Sequence, residues 1–130
     1  MNFPPDLKYT ENDEWIRVEG NTGTIGISDY AQDQLSDVVF VEVIAELDES
    51  LDQGDACATV ESVKAAADVY MPVGGTVTEF NEELLDTPEL VNSDPYGAAW
   101  MIKIELADPS QLDGLLDAEA YQKHCEARLT

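Results

Sequence analysis

The chain has 130 residues, 44% hydrophobic and 26% charged, a globular composition at the size of one domain with one core. Twenty-eight acids against six bases give a formal charge of −22, which repels phosphate backbones and anionic bilayers and speaks against nucleic-acid or membrane binding. The apolar runs, Val38 to Val41 among the longest, are far too short to span a bilayer, and the first six residues lack a basic start and an apolar signal core.

These features predict a soluble, monomeric, cytoplasmic protein, one domain over residues 1–130. The acidic surface fits docking on basic patches of partner enzymes and equally fits plain solubility in a salty interior; charge alone names neither.

Pro4-Pro5 blocks a helix, so residues 1–13 begin irregularly. Glu14 to Glu19 alternates and predicts a first strand, Gly20 to Gly23 a turn, and Thr24 to Ile27 a second strand that completes a hairpin. Ser28 or Asp29 suits an N-cap for a short helix over Tyr30 to Leu35, with Tyr30 or Ala31 and Leu35 on one inward face. Asp37 to Ile44 is nearly continuous β-branched and apolar sequence and predicts a central strand buried on both faces. Glu46 to Asp55 holds five acids and no base without a calcium-loop spacing, which reads as a solvated loop.

Two strand-like runs follow, Ala56 to Val60 and Asp68 to Val73, with turn glycines at Gly54 and Gly74-Gly75 and Lys64 midway between. Lys64 is therefore expected at the tip of a hairpin, in a type I turn or slightly longer loop, because no Asn-Gly or Asp-Gly pair is present for a primed turn. A primary amine lifted away from the body suits covalent attachment; an idle exposed lysine fits the local pattern as well.

Gly75 to Phe80 alternates as a half-exposed strand, Asn81 to Leu85 supports one helical turn, and residues 88–97 form a polar segment broken by Pro88, Pro95 and Gly97. Ala99 to Leu106 is the last strand. Pro109 opens a helical extension over about residues 109–130, with Leu112, Leu115 and Leu116 in one periodic set and Ala118, Tyr121, Cys125 and Leu129 in another. Strands dominate without regular strand–helix alternation, so the fold class is mainly β: an antiparallel sandwich or flattened barrel with a short inserted helix and a helical tail.

Candidates for chemistry of the chain's own are thin. His124 is the lone histidine, Cys57 and Cys125 lie 68 positions apart, and no nucleophile elbow, phosphate loop, dinucleotide fingerprint or zinc spacing is present. A Schiff-base lysine favours a desolvated pocket, which a hairpin tip does not offer. An exposed amine is better suited to being acylated by another enzyme, which would take the charge from −22 to −23.

Four blocks carry a family resemblance: Glu61-Ser62-Val63-Lys64-Ala65, Asp68 to Gly75, Gly26 to Leu35, and Glu89 to Ile104. Together they span most of the chain and resemble the H-protein family of the glycine cleavage system. A lysine hairpin alone would leave lipoyl and biotinyl carriers open, and Val63-Lys64-Ala65 lacks the methionines that usually bracket biotinylated lysine.

The resemblance implies a barrel-sandwich hybrid of the lipoyl/biotinyl-carrier type and a non-catalytic carrier with lipoate in amide linkage to Lys64. It implies four partners: a pyridoxal-phosphate glycine decarboxylase that loads an aminomethyl group, a tetrahydrofolate-dependent aminomethyltransferase that unloads it, a dihydrolipoyl dehydrogenase that reoxidises the arm, and a lipoate ligase or transferase. It further implies that the loaded arm folds into a cleft where its amine meets Glu14 and Asp68. The alternative is a lipoyl relay to 2-oxo acid dehydrogenase complexes. Three places depart from the family: Asp13 stands where His is common, Ser36 where Gly is usual, and Ile44 to Asp48 where a Pro and a Gly usually shape the turn.

Overall fold

The alternating start of the chain does fold as strands. The computed structural model describes residues 1–128, so the predicted packing position Leu129 lies outside it. A two-residue strand β1 (Lys8–Tyr9) precedes β2 (Glu14–Glu19), which pairs antiparallel with β3 (Thr22–Ile27) through a two-residue turn. Gly20 takes φ 61 there, a conformation that costs glycine nothing. Ser28 is the N-cap of α1 (Asp29–Leu35): its hydroxyl accepts the Ala31 amide at 3.1 Å, and Tyr30 and Leu35 turn inward.

The next strand, β4 (Val38–Val43), corrects the expectation of a central strand buried on both faces. It is hydrogen-bonded to one neighbour only, and Val39 and Phe40 are 53% and 42% exposed. The physical reason is a bulge between Val38 and Phe40, which turns two successive side chains outward, while Val38 and Val41 stay in the core. The acidic loop contains a two-residue strand β5 (Ser50–Leu51), and then β6 (Ala56–Ser62) and β7 (Ala66–Tyr70) form the lysine hairpin.

Beyond it, β8 (Gly75–Phe80) pairs with β9 (Ile102–Leu106). Between these two strands lie single-turn helices α2 (Glu83–Asp86) and α3 (Leu90–Ser93). The α3 turn was not expected; it is anchored by fully buried Val91. The extension is interrupted rather than continuous: a 3-10 helix covers Pro109–Gly114, Leu116 bridges to Tyr9, and only then does α4 (Ala118–Arg128) begin.

The strands form two antiparallel sheets, one of six in the order β1-β2-β3-β9-β8-β5 and one of three in the order β4-β6-β7. Ile16, Ile25, Val77 and Ile104 from the first meet Val41, Val60 and Val69 from the second in the main core. A second cluster of Leu7, Tyr9, Trp15, Tyr30, Tyr96, Tyr121 and Cys125 seats α4, with Tyr9 and Tyr121 stacked at 4.5 Å. Two open sheets with inserted helices give the predicted sandwich class. Among the described residues no helix is long and apolar enough to cross a membrane.

Candidate functional site

Lys64 sits where the pattern placed it, exposed in the turn between β6 and β7. The turn is held by one side chain. The Ser62 hydroxyl accepts the amides of Lys64 at 3.3 Å and Ala65 at 3.0 Å and lies 3.1 Å from the Ala65 carbonyl, while the Ser62 amide donates to that same carbonyl at 2.8 Å. Neither Val63 nor Lys64 has a positive φ, which excludes a primed turn. Among the described residues Lys103 and Lys123 pair with Glu79 and Glu119 at 3.5 and 3.4 Å, whereas Lys64 is in no ion pair.

Glu14 opens β2 and is only 1% exposed. Its carboxylate accepts the Thr10 hydroxyl at 2.6 Å and the Tyr70 amide at 3.3 Å, which joins the start of β2 to the end of β7. Burial pushes its pKa up from 4.5 to about 7, against the lowering effect of those two hydrogen bonds. Glu14 lines two cavities, one of about 280 Å³ beside Tyr70 and Leu116, the other of about 150 Å³ walled by Ile27, Leu35, Val60 and Val69.

Asp68 lines the smaller cavity too, so the structure brings both proposed cleft acids to one place. Their settings differ. Asp68 is exposed, and its carboxylate accepts the hydroxyl of Thr59, its cross-strand partner, at 3.3 Å. It lies four residues from Lys64, across the end of the turn and the start of β7, a span of at most about 13 Å at strand rise. A chain tethered to Lys64 thus has an apolar slot within a few residues of its anchor, with a buried acid in its wall.

A third acid was missed as part of this cavity. Asp13, read from sequence only as a departure, lines the cavity beside Glu14 and adopts φ 76. Its carboxylate accepts the Tyr121 hydroxyl at 2.7 Å and both terminal nitrogens of Arg128, and its carbonyl accepts the Ser28 amide at 2.8 Å. Arg128 also stacks over the Tyr30 ring at 4.2 Å. The tail helix therefore braces the cavity wall. No local motif marks Asp13, because the partners of its carboxylate lie more than a hundred residues away.

The remaining reactive side chains do not line this cavity. Cys57 is a free, fully buried thiol whose pKa burial pushes up to about 12, and Cys125 is free and on the buried face of α4. His124 contacts the Glu11 carbonyl at 3.1 Å, and no group of three metal-ligating side chains occurs among the described residues.

Residues 7–128 match the sequence profile of the glycine cleavage H-protein. The chain is 51% identical over 126 residues to the glycine cleavage system H protein of Halothermothrix orenii, covering 97% of this chain and 98% of the relative. It is 54% identical over 123 residues to that of Staphylococcus haemolyticus, with 95% and 97% covered. Its backbone superposes on the crystal structure of a glycine cleavage system H protein from Mycobacterium marinum with a TM-score of 0.80 at 29% identity, over 98% of this chain and 99% of that one.

Proposed function

We propose that this chain, which belongs to the glycine cleavage H-protein family, is a lipoyl carrier with lipoate in amide linkage to Lys64. It shuttles the aminomethyl group of glycine from a pyridoxal-phosphate decarboxylase to a tetrahydrofolate aminomethyltransferase and presents the reduced arm to a dihydrolipoyl dehydrogenase. On this reading it is a monomeric, non-catalytic cytoplasmic subunit, and a lipoate ligase or transferase attaches the arm. The observation that carries the reading is the exposed Lys64 on a tightly bonded turn, beside an apolar cavity with a buried acid in its wall.

Attachment forms one C–N bond between Lys64 Nζ and an activated acyl carbon; the leaving group departs with its electron pair, and the ammonium loses two protons in becoming an amide. Bound lipoate supplies two vicinal sulfurs for thioether and redox chemistry. The apolar walls Ile27, Leu35, Val60 and Val69 suit an alkyl chain and exclude water from its end. Glu14 is poised by its raised pKa to be neutral in the empty cavity at low cost, and an arriving ammonium turns its carboxylate into a favoured partner. Thr10 and the Tyr70 amide hold that carboxylate in place, and Asp68 offers a second acceptor at the exposed rim.

Intact mass after incubation with lipoate ligase tests the attachment: wild type gains one lipoyl group and Lys64→Arg gains none. Equal modification of both sinks the assignment. Lipoylated protein should stimulate glycine-dependent bicarbonate exchange by glycine decarboxylase; no stimulation would redirect the carrier to a lipoyl relay.

A further inference from the structure

An enzyme that acylates one amine of this chain has four lysines to distinguish. Lys103 is held against Glu79 at 3.5 Å and over the Trp100 ring at 4.9 Å, and Lys123 pairs with Glu119. Lys8, however, is exposed just as Lys64 is, so accessibility alone does not select the site.

The surroundings do. Paired residues of antiparallel strands project to the same face. The pairs Phe40 with Glu61, Glu42 with Thr59, and Thr59 with Asp68 therefore share the outer face of the three-stranded sheet, opposite the core pair Val41 and Val60. The β4 bulge adds Val39 to the surface. Val63, 68% exposed, precedes Lys64 and donates its amide to the Asp37 carbonyl at 3.1 Å, which draws the tip against the start of β4. Three large apolar side chains, Val39, Phe40 and Val63, thus adjoin the Lys64 turn, among exposed Asp37, Glu42, Glu61 and Asp68.

We propose that this face is the recognition surface for the enzyme that acylates Lys64, and that it fits an apolar recess bordered by lysines and arginines. The inference rests on the lipoyl-carrier reading of Lys64. Acids alone cannot mark one spot on a chain that carries 28 of them; the apolar cluster supplies the address and the surrounding carboxylates the sign of the partner. A second copy of this chain is the wrong occupant, because it would set the same acids against each other at −22 apiece.

The test is a time course of intact mass with purified lipoate–protein ligase acting on the unmodified full-length chain. Phe40→Ser and Val63→Ser should each raise the KM for the protein about tenfold with kcat little changed, as expected for loss of an apolar anchor. Phe40→Leu should retain the wild-type KM, and Lys8→Arg should leave the rate unaltered. Added salt should raise the KM of wild type through screening of the acidic surround. Since Phe40 and Val63 are outside the core, unfolding midpoints should match wild type. A wild-type KM in both serine variants overturns the proposal. So does concentration-dependent dimerisation of wild type that Phe40→Ser abolishes, which would assign the face to self-association. If wild type itself is never lipoylated on Lys64, the carrier reading fails first, and that outcome is distinct from wild-type kinetics in the variants.

Discussion

Replacing Glu14 by Gln tests the buried acid directly. The folded protein holds the Glu14 proton up to about pH 7, whereas the ordinary value is 4.5. Between those values the native state binds more protons than the unfolded chain, so rising pH removes stability, and the loss is complete above about pH 7. At about 1.4 kcal/mol per decade of proton affinity, the penalty reaches a ceiling of about 3 kcal/mol. Gln avoids the ionisation penalty and its carbonyl still accepts the Tyr70 amide, but its NH₂ group faces Thr10 Oγ1, which already accepts the Asn12 and Glu14 amides, so the Thr10 bond is lost at a pH-independent cost of about 1–2 kcal/mol. The variant should therefore be weaker than wild type near pH 4.5 by the lost bond and gain on it by up to about 3 kcal/mol between there and pH 8. With a urea slope of about 1.5 kcal/mol/M, that gain moves the variant's midpoint relative to wild type by about 2 M. Urea melts of both proteins at pH 4.5, 6 and 8 measure it, and the difference cancels the general repulsion of the acidic surface. A wild-type-to-variant difference flat with pH, or one that favours wild type more at pH 8 than at pH 4.5, would refute the reasoning.

Arg128→Ala removes both guanidinium bonds to Asp13 and the stacking on Tyr30; unfolding should show a loss of about 1–3 kcal/mol, and the cycle with Asp13→Asn should be clearly non-additive. Ser36 closes α1 at φ 65 and ψ −146, a region that suits glycine, so Ser36→Gly should stabilise by about 1 kcal/mol and raise the thermal midpoint by a few degrees; a lowered midpoint would count against strain at that cap.

The sequence was legible where physics is local. The Ser28 cap and the β2–β3 hairpin follow from neighbouring residues, and the structure has both; β8 is a strand with Val77 inward, but a bulge between Val77 and Glu79 breaks its alternation and leaves Thr78 and Glu79 both exposed. Non-local facts were not legible. A β-branched run at β4 looks the same whether it is central or at an edge, and only the register against β6 reveals the bulge at Val39. Val91 anchors α3 through the core it enters, not through its own turn. The tip lysine was visible in the pattern, whereas Glu14 and Asp68 came only through family resemblance, since two acids among 28 carry no signal of their own. Ser36 and Asp48, both within the stretches read as departures, take positive φ, a backbone conformation that favours glycine.

The ends of the two sheets have unequal exposure to partners of their own kind. Both margins of the six-stranded sheet are two-residue strands, β1 and β5, too short to template another chain. The smaller sheet has two longer margins, the five-residue β7 and the six-residue β4, and β4 carries exposed Val39 and Phe40. At neutral pH the carboxylates around it keep copies apart. In acid, as those groups protonate and repulsion fades, β4, with its exposed apolar pair, is the expected start of strand-to-strand aggregation, so storage or purification at low pH weakens a flank that the surface acids help to protect.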